Sequence, residues 1–355
     1  MEEQKIMAEN IIGFREIVTP LLEWYGRNAR ILPWRENTDP YRVWVSEIML
    51  QQTRVETVKP YFERFLKQLP TIADLAAAEE ETLLKLWEGL GYYTRVRNLQ
   101  KAAQVICKEH GGVFPEAYEE IAALPGIGPY TAGAISSISF EKPVPAVDGN
   151  VLRVATRLRE DGRDLADPAL KKQIAAELAA VYPPGRCGDF TQSLMELGAL
   201  VCLPNGFPDC RACPLADLCG ACRSGTQLSF PVQAKKKPRS RQEKTVFLLC
   251  FDDQIAVHKR APGGLLGALW EFPNTEGFLT ETEIAEWLES QRITADRIEK
   301  SAEKTHVFTH VEWHMASYLI SCNTKNERFL WVTRQELQSS ITLPTAFKKF
   351  MECLK

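Results

Sequence analysis

The sequence predicts a multidomain protein in which an all-α region is followed by a smaller α+β domain. Two observations predict this division: apolar residues recur at helical spacing from Ile11 to about Ala199, and short β-favouring runs dominate from Thr245 onward. The basic stretch Gln233 to Lys244 between them has the composition of a solvated connector. We therefore place the domains at residues 1–222 and 245–355, joined by a linker at 223–244.

The helical prediction depends on repeated three- and four-residue spacing. Phe62, Phe65 and Leu69 lie on one face of a predicted helix, and Pro125-Gly126 is one of several breakers that separate such segments. With 355 residues, the chain is long enough to form two buried cores.

In the second domain, short strands and two helices are expected. The strands are predicted at Thr245 to Phe251, Ile255 to His258, His306 to Ser321 and Arg328 to Val332, and the helices near Glu281 to Gln291 and Pro344 to Leu354.

Composition limits the function classes. A formal net charge of −3 disfavours a protein that binds DNA over its whole surface, so any nucleic-acid surface must be local. Met1 to Phe14 lacks the pattern of a secretory signal, and no stretch approaches the roughly 20 apolar residues of a membrane span. We expect a cytoplasmic protein, in which the ten cysteines do not form a disulfide framework.

Five of the cysteines crowd into one short stretch. Seven residues separate Cys202 from Cys210, two separate Cys210 from Cys213, and five separate Cys213 from Cys219, while Cys222 follows closely. Four thiolates from one compact loop can hold a [4Fe–4S] cluster or a structural Zn²⁺. Free cysteines are the remaining alternative.

A glycine-rich turn is predicted between two helical segments at Leu124 to Ala132. Gly126 and Gly128 permit a tight turn, and the exposed N–H groups of the turn and of the next helix could bind a DNA phosphate. The alternative is a helix-to-helix turn that binds nothing.

Two acidic residues are candidate catalytic groups. Asp148 stands at the predicted start of a helix, where the dipole and free N–H groups favour its ionised form, although a plain N-cap would have the same pattern. Glu47 lies among apolar residues on a predicted helix, where burial would raise the pKa of its carboxyl group; a surface Glu at the edge of that face is the alternative. One neutral acid and one ionised acid together suit N-glycosidic cleavage through an oxocarbenium-like state.

His306, His310 and His314 recur every four residues. Their neighbours favour a strand, along which residues four apart are separated by roughly 13 Å, too far to bind one ion. We therefore reject a histidine metal site.

Several segments match, in order, motifs of one known family. They are Leu32 to Arg35, Val45 to Thr53, Trp87 to Tyr93, the glycine-rich turn and Val147 to Val151. Over nearly its whole length the chain resembles the MutY branch of the helix-hairpin-helix DNA glycosylases. The resemblance implies an all-α helix-hairpin-helix glycosylase domain with an iron–sulfur loop at 202–222, followed by a Nudix-like domain.

The resemblance also implies an activity: hydrolysis of adenine mispaired with 8-oxoguanine or guanine in duplex DNA, by a monomer that flips the base out of the helix. It implies that Glu47 protonates adenine at N7, that Asp148 stabilises the sugar cation and forms a covalent intermediate, that Tyr130 supports Asp148, and that Asn150 places the water. The implied adenine pocket is Arg30, Trp34 and Leu50. The implied DNA and 8-oxoguanine contacts are Gln52, Thr53, Leu90, Tyr92, Gly126, Gly128, Phe308, Thr309 and His310. The implied [4Fe–4S] ligands are Cys202, Cys210, Cys213 and Cys219.

The second domain is similar to Nudix domains around Gly263 to Pro273. In a competent Nudix hydrolase, this segment would be followed by an Arg-Glu-rich helix that binds Mg²⁺. In this chain, no arginine lies between Pro273 and Arg292. We therefore expect this domain to read 8-oxoguanine rather than hydrolyse nucleotides.

Three positions depart from the family pattern. The spacing from Cys202 to Cys210 is one residue longer than usual, and Cys222 is an additional thiol that competes with Cys219 as the fourth ligand. The loop 203–209 has no Lys or Arg, so we expect no phosphate contact there. Thr309 stands where Ser is usual, which keeps the hydroxyl and adds a methyl group.

Two alternatives remain. An endonuclease III-like glycosylase and lyase would act on oxidised pyrimidines, but it would need a nucleophilic lysine where this chain has Tyr130, and a phenol cannot form a Schiff base. A non-catalytic lesion-binding protein would use both acids structurally.

Overall fold

The computed structural model describes residues 13–234 and 238–354, which form two compact units. Within the described residues, the first unit comprises 13–77 and 98–234, and the second comprises 78–97 and 238–354. Lys235 to Lys237, which belong to the basic stretch predicted as a connector, lie outside the described residues.

Helices build the first part of the chain. Between residues 13 and 234 they are α1 (Val18–Asn28), α2 (Pro40–Leu50), α3 (Val55–Gln68), α4 (Ile72–Ala77), α5 (Glu80–Trp87), α6 (Thr94–Glu109), α7 (Tyr118–Ala123), α8 (Pro129–Phe140), α9 (Gly149–Arg159), α10 (Pro168–Ala179), α11 (Cys187–Leu200) and α12 (Gly220–Ser224), with short 3₁₀ turns at Pro33–Arg35, Ala216–Leu218 and Gln227–Ser229. The predicted all-α region is confirmed.

Helix α8 lies at the centre of the first unit. Its residues from Thr131 to Ile138 are all buried, which is the pattern of a helix surrounded by protein. It packs against α2 and α11, and α11 also packs against α1 and α9. The residues that precede and begin α9 are therefore held close to α2 and α8.

The helix-hairpin-helix turn joins α7 to α8. Gly126 has a φ of +76°, and a side chain there would meet Cβ of Asn98 at 2.6 Å, so both the turn and the close packing require glycine. Gly128 caps α8, and Pro129 occupies its first position.

A mixed sheet organises the second unit. Its strands are β1 (Ser240–Phe251), β2 (Gln254–Lys259), β3 (Trp270–Glu271), β4 (Asn274–Glu276), β5 (Ala295–Val307), β6 (Val311–Cys322) and β7 (Leu330–Thr333). The order is β3-β2-β1-β6-β5, with β4 paired to β1 and β7 paired to β2. β1 and β6 are parallel, and the other pairs are antiparallel.

Both faces of β1 are covered. Val246 and Leu248 face one apolar cluster, which includes Phe347, whereas Phe247 and Leu249 face another, which includes Ile284. The accompanying helices are α13 (Glu281–Ser290), α14 (Arg334–Ser339) and α15 (Thr345–Lys348), with a 3₁₀ turn at Met351–Cys353. The predicted α+β domain is confirmed.

Three local predictions were wrong. β1 begins at Ser240 rather than Thr245, because its polar first half pairs with β6 from Val311 onward. The run from His306 to Ser321 is a hairpin of two strands rather than one strand, since the chain turns at Phe308–His310 without a glycine to signal it. The last predicted helix is limited to α15 and one 3₁₀ turn.

Within the described residues, no helix combines the length and apolar character that crossing a membrane requires.

Candidate active site

A cavity of about 600 Å³ lies in the first unit. The ends and faces of α2, α8, α9 and α11 line it, together with the Pro33–Arg35 turn. Nine of the residues singled out from the sequence line it together: Arg30, Trp34, Glu47, Leu50, Gln52, Thr53, Tyr130, Asp148 and Asn150. Its volume lies within the range of small-molecule sites.

Glu47 is a buried acid on α2, with 7% of its surface exposed, so it is not a surface residue of an amphipathic helix. Burial raises the pKa of its carboxyl group to about 7; Asp148 adds to the rise, while the hydrogen bond from Tyr130 and the charge of Arg35 oppose it. Near neutral pH this carboxyl group is thus partly protonated and able to donate a proton.

Tyr130 is the hydrogen-bond partner of this acid. Its hydroxyl donates to Oε2 of Glu47 at 2.6 Å. Burial raises the pKa of Tyr130 well above its ordinary value, so the phenol remains a donor. The structure thus directs this hydroxyl to Glu47, and the support of Asp148 that the resemblance implies stays a prediction.

Asp148 both caps α9 and faces the cavity. Its Oδ1 accepts the backbone N–H of Val151 at 2.8 Å, and its Oδ2 accepts the side-chain amide of Asn150 at 2.7 Å. A carboxylate at a helix N-terminus is stabilised in its charged form by the helix dipole and the free N–H groups. The capping and the catalytic interpretations are therefore compatible.

Asn150 is oriented from two sides. Nη2 of the buried Arg153 donates to its Oδ1 at 2.8 Å. The same guanidinium donates to the carbonyl oxygens of Gly198 and Cys202, each at 2.7 Å. The amide group of Asn150 must then present its N–H side to Asp148.

An ion-pair network forms another part of the cavity wall. The guanidinium of Arg30 donates two hydrogen bonds to Glu196, at 2.8 and 2.7 Å, and its backbone N–H donates a third at 2.9 Å. Arg35 donates to the same carboxylate at 3.0 Å. Only 1% of Glu196 is exposed. Burial would raise the pKa of this carboxyl group, but the bonds from Arg30 and Arg35 hold it at about 2.

Sequence reasoning missed part of this wall. Glu196 sits in an apolar run on α11, which is the same signal that drew attention to Glu47, and Arg35 belongs to one of the matched motifs. Gln192, Met195 and Arg153 also line the cavity. Nothing in their local sequence distinguishes the first two.

The remaining predicted contacts lie outside this cavity. Gly126 and Gly128 are exposed at the turn before α8. In the second unit, the hydroxyl groups of Tyr92 and Thr309 lie 2.5 Å apart. Leu90 is buried beside the exposed Tyr92, and Phe308 and His310 flank Thr309.

Two of the predicted DNA contacts have an unusual backbone. Gln52 has a φ of +58° and Tyr92 a φ of +47°, in the left-handed region that side chains other than glycine rarely adopt. Such strain persists where the surrounding structure enforces it, commonly at functional loops.

The cysteine side chains converge on a small cavity of about 20 Å³, which Cys202, Cys210, Cys213, Cys219 and Cys222 line together. Arg157 donates to Sγ of Cys202 at 3.3 Å, and Gln227 donates to Sγ of Cys210 at 3.8 Å. N–H donors directed at sulfur are a usual feature of iron–sulfur sites, so this donor set fits a cluster. In the part of the chain that the structure describes, no group of three or more His, Cys, Asp or Glu is arranged to hold a single metal ion.

Glu271, the acid of the Nudix-like segment, is already paired. Its buried carboxylate contacts Arg260, and His258 lies 3.1 Å from its other oxygen. The carboxylate of Glu271 therefore interacts with side chains of its own domain.

Comparison with known proteins covers both regions. Residues 45–184 match the HhH-GPD superfamily of base excision DNA repair proteins, and residues 245–353 match the NUDIX domain. An adenine DNA glycosylase of Buchnera aphidicola subsp. Schizaphis graminum is 32% identical over 94% of this chain and 97% of its own length. An adenine DNA glycosylase of Homo sapiens is 33% identical over 93% of this chain and 72% of its own length. A solved thermostable thymine-DNA glycosylase is 28% identical, with a TM-score of 0.53, over 59% of this chain and 97% of that one.

Proposed function

This chain belongs to the adenine DNA glycosylases, and we propose that it removes adenine mispaired with 8-oxoguanine or guanine. It is an adenine-specific DNA N-glycosylase of base-excision repair, and DNA is its partner. The observation that carries the proposed mechanism is the pair of acids in one cavity: Glu47, whose pKa is raised to about 7, and Asp148 at a helix N-terminus.

In the proposed reaction, Glu47 donates its proton to N7 of the flipped adenine. The C1′–N9 bond then breaks, and its electron pair leaves with the base. The carboxylate of Asp148 stabilises the developing sugar cation and bonds to C1′. A water positioned by Asn150 replaces Asp148 at C1′ and returns a proton to Glu47, which leaves free adenine and an abasic site.

The rest of the cavity suits a purine. Trp34 and Leu50 supply apolar surface, and Arg30 supplies N–H donors whose direction is fixed by Glu196. The adenine must leave the duplex to reach this cavity, and its departure leaves a gap in the base stack that has to be filled. We propose that Gln52, Thr53, Leu90 and Tyr92 fill it and contact the 8-oxoguanine left in the stack.

Recognition of the opposite base is assigned to the second unit. The contact between the hydroxyl groups of Tyr92 and Thr309 supports this proposal, because it places the loop that carries Tyr92 against Phe308–His310. Thr309 offers a hydroxyl group that can donate or accept a hydrogen bond.

Lyase chemistry is not part of the proposal. Strand cleavage through a Schiff base needs an amine nucleophile. Among the described residues that line the cavity there is no lysine, and Tyr130 bonds to Glu47 instead. Borohydride should therefore trap no covalent complex with DNA.

A [4Fe–4S] cluster held by Cys202, Cys210, Cys213 and Cys219 is proposed, with Zn²⁺ as the alternative. Such a cluster would fix the loop whose Cys202 carbonyl accepts from Arg153, the residue that orients Asn150. A brown protein with visible absorbance would support the cluster, and colourless protein containing zinc would contradict it. Loss of the colour in Cys222→Ser but not in Cys219→Ser would assign the fourth ligand to Cys222.

We propose that the domains comprise residues 1–222 and 245–355, joined by the linker at 223–244. We also propose that the enzyme is monomeric and works in the cytoplasm.

A panel of duplexes tests the function. Purified enzyme is incubated with adenine opposite 8-oxoguanine, guanine or thymine, and abasic sites are revealed with hot alkali. We expect product opposite 8-oxoguanine and guanine but not thymine. Strand cutting without alkali, or attack on an oxidised pyrimidine instead of adenine, would favour the endonuclease III-like alternative.

A further inference from the structure

We propose that Glu88 is a specificity-determining positioning residue, which holds the loop carrying Leu90 and Tyr92 in fixed geometry with the 8-oxoguanine-reading loop Phe308–His310. This inference rests on the proposed function. Residues 78–97 and residues 238–354 belong to one compact unit.

Glu88 is a nearly buried carboxylate at the end of α5, with 8% of its side chain exposed. Its Oε1 accepts the backbone N–H of Leu343 at 2.9 Å, and its Oε2 lies 2.7 Å from Nζ of Lys348 and 3.1 Å from Nζ of Lys85. Lys85 in turn donates to the carbonyl oxygen of Ile341 at 2.9 Å. The end of α5 is thus bound to residues 341–348 through a nearly buried carboxylate, whose partners Lys85 and Lys348 keep 25% and 43% of their side chains exposed.

The loop that follows Glu88 is held at its other end as well. Arg95 donates to the carbonyl oxygens of Leu90 and Gly91, at 2.9 and 3.1 Å, and its guanidinium lies over the ring of Tyr92. Tyr92 then meets Thr309 through the hydroxyl contact. The loop therefore has few ways to move without breaking polar contacts.

An aromatic path completes the connection. Phe347, on α15 beside Lys348, lies edge-on to Trp313 with ring centroids 6.0 Å apart, and Trp313 lies edge-on to Phe308 at 4.8 Å. Glu88 thus contacts residues 343–348, and Phe347 of that segment contacts Trp313. Trp313 contacts Phe308, and the next residue, Thr309, contacts Tyr92. The loop carrying Leu90 and Tyr92 and the loop Phe308–His310 are therefore connected by a continuous set of contacts, which includes those of Glu88.

This arrangement has a consequence for specificity. An enzyme distinguishes 8-oxoguanine from guanine only by contacts that differ between them, and those contacts need correct placement to a fraction of an ångström. Loosening Glu88 should reduce that discrimination more than it reduces adenine excision itself, because the catalytic acids belong to the other unit.

The test measures single-turnover excision rates and binding constants for duplexes with adenine opposite 8-oxoguanine and opposite guanine. The variants are Glu88→Ala, Glu88→Gln and Lys348→Met. The matched control is Glu81→Ala, on the same helix, whose exposed carboxylate lies 3.4 Å from Lys259. We expect the preference for 8-oxoguanine to fall roughly tenfold in Glu88→Ala and in Lys348→Met, and not at all in the control. A variant that combines Glu88→Ala with Lys348→Met should lose no more of the preference than either single variant, because both changes break the same contact.

Equal losses on both substrates would overturn the inference, since they would indicate general destabilisation, and an unchanged preference would overturn it too. If Glu88→Ala does not fold, the inference is tested with Glu88→Gln and Lys348→Met, by the ratio of the excision rate opposite 8-oxoguanine to that opposite guanine. Failure of the proposed function itself would be seen separately, as a wild-type enzyme that releases adenine from neither duplex. A wild-type enzyme that excises adenine equally from both duplexes would overturn this inference alone.

Discussion

The hydroxyl group of Tyr130 lies 2.6 Å from Oε2 of Glu47 and donates a hydrogen bond to it. This contact opposes the effect of burial, which raises the pKa of Glu47 to about 7. The acid strength of the proposed proton donor therefore depends in part on this hydrogen bond, which a single substitution at Tyr130 removes.

The wild-type enzyme should lose activity as the pH rises through about 7. Glu47 must be protonated to donate to adenine, so deprotonation removes the active form and the rate falls on the alkaline side. Single-turnover rates of adenine excision from pH 5 to 9 measure this. A rate that is flat or increasing across pH 7 would contradict the assignment of Glu47 as the acid.

Tyr130→Phe should move that alkaline limb to higher pH. The variant removes a hydrogen bond that lowers the pKa of Glu47, so the carboxyl group should stay protonated further up the pH scale. Tyr182→Phe is a matched control, because this buried tyrosine bonds to Thr191 and does not line the cavity. A shift to lower pH, or an equal shift in the control, would contradict the claim that the hydrogen bond from Tyr130 lowers the pKa of Glu47.

Glu196→Gln should destabilise the fold. It leaves the charges of Arg30 and Arg35 without their buried partner, which typically costs about 3 kcal/mol of unfolding free energy. The pKa of Glu196 is depressed to about 2 from an ordinary value of 4.5. The stabilisation is therefore complete above pH 4.5 and is lost as the pH falls towards 2.

Urea unfolding of both proteins at several pH values measures this effect. The difference between wild type and Glu196→Gln should be largest near neutrality and shrink in acid. A difference that grows on acidification would have the wrong sign for this ion pair.

Gly198→Ala should slow excision while leaving the fold intact. A Cβ at position 198 would lie 2.5 Å from Cβ of Asn150, so Asn150 must leave the position from which it donates to Asp148. We expect a loss of roughly tenfold to a hundredfold in the excision rate, the scale at which small misplacements affect catalysis. Gly162→Ala, where the added methyl group meets open space, is the control. Unchanged excision by Gly198→Ala would contradict the claim that the position of Asn150 matters for the reaction.

The sequence predicted the fold class, and the comparisons and structure confirm it. Glu47 and Asp148 could be singled out because the signals are local: an acid among apolar neighbours, and an acid before a helix. Glu196 has the first of these signals, but its partner Arg30 lies 166 positions away, and no local pattern reports such a pairing.

The grouping of residues 78–97 with the C-terminal residues was equally beyond local reasoning. It depends on contacts such as that between Glu88 and Leu343, which are 255 positions apart. The hairpin turn at Phe308–His310 was missed for a different reason: two strands flank a turn without glycine or asparagine, so the β-favouring pattern runs on without interruption.

The central claim is that Glu47 supplies the proton for adenine excision. The most direct measurement compares wild type, Glu47→Gln and Asp148→Asn for binding to a duplex with adenine opposite 8-oxoguanine and for the alkali-revealed abasic product of a single turnover. We predict that both variants bind the duplex and form no measurable product. Product formation by Glu47→Gln at the wild-type rate would contradict the mechanism, and unchanged behaviour of both variants would favour a protein that binds lesions without catalysis.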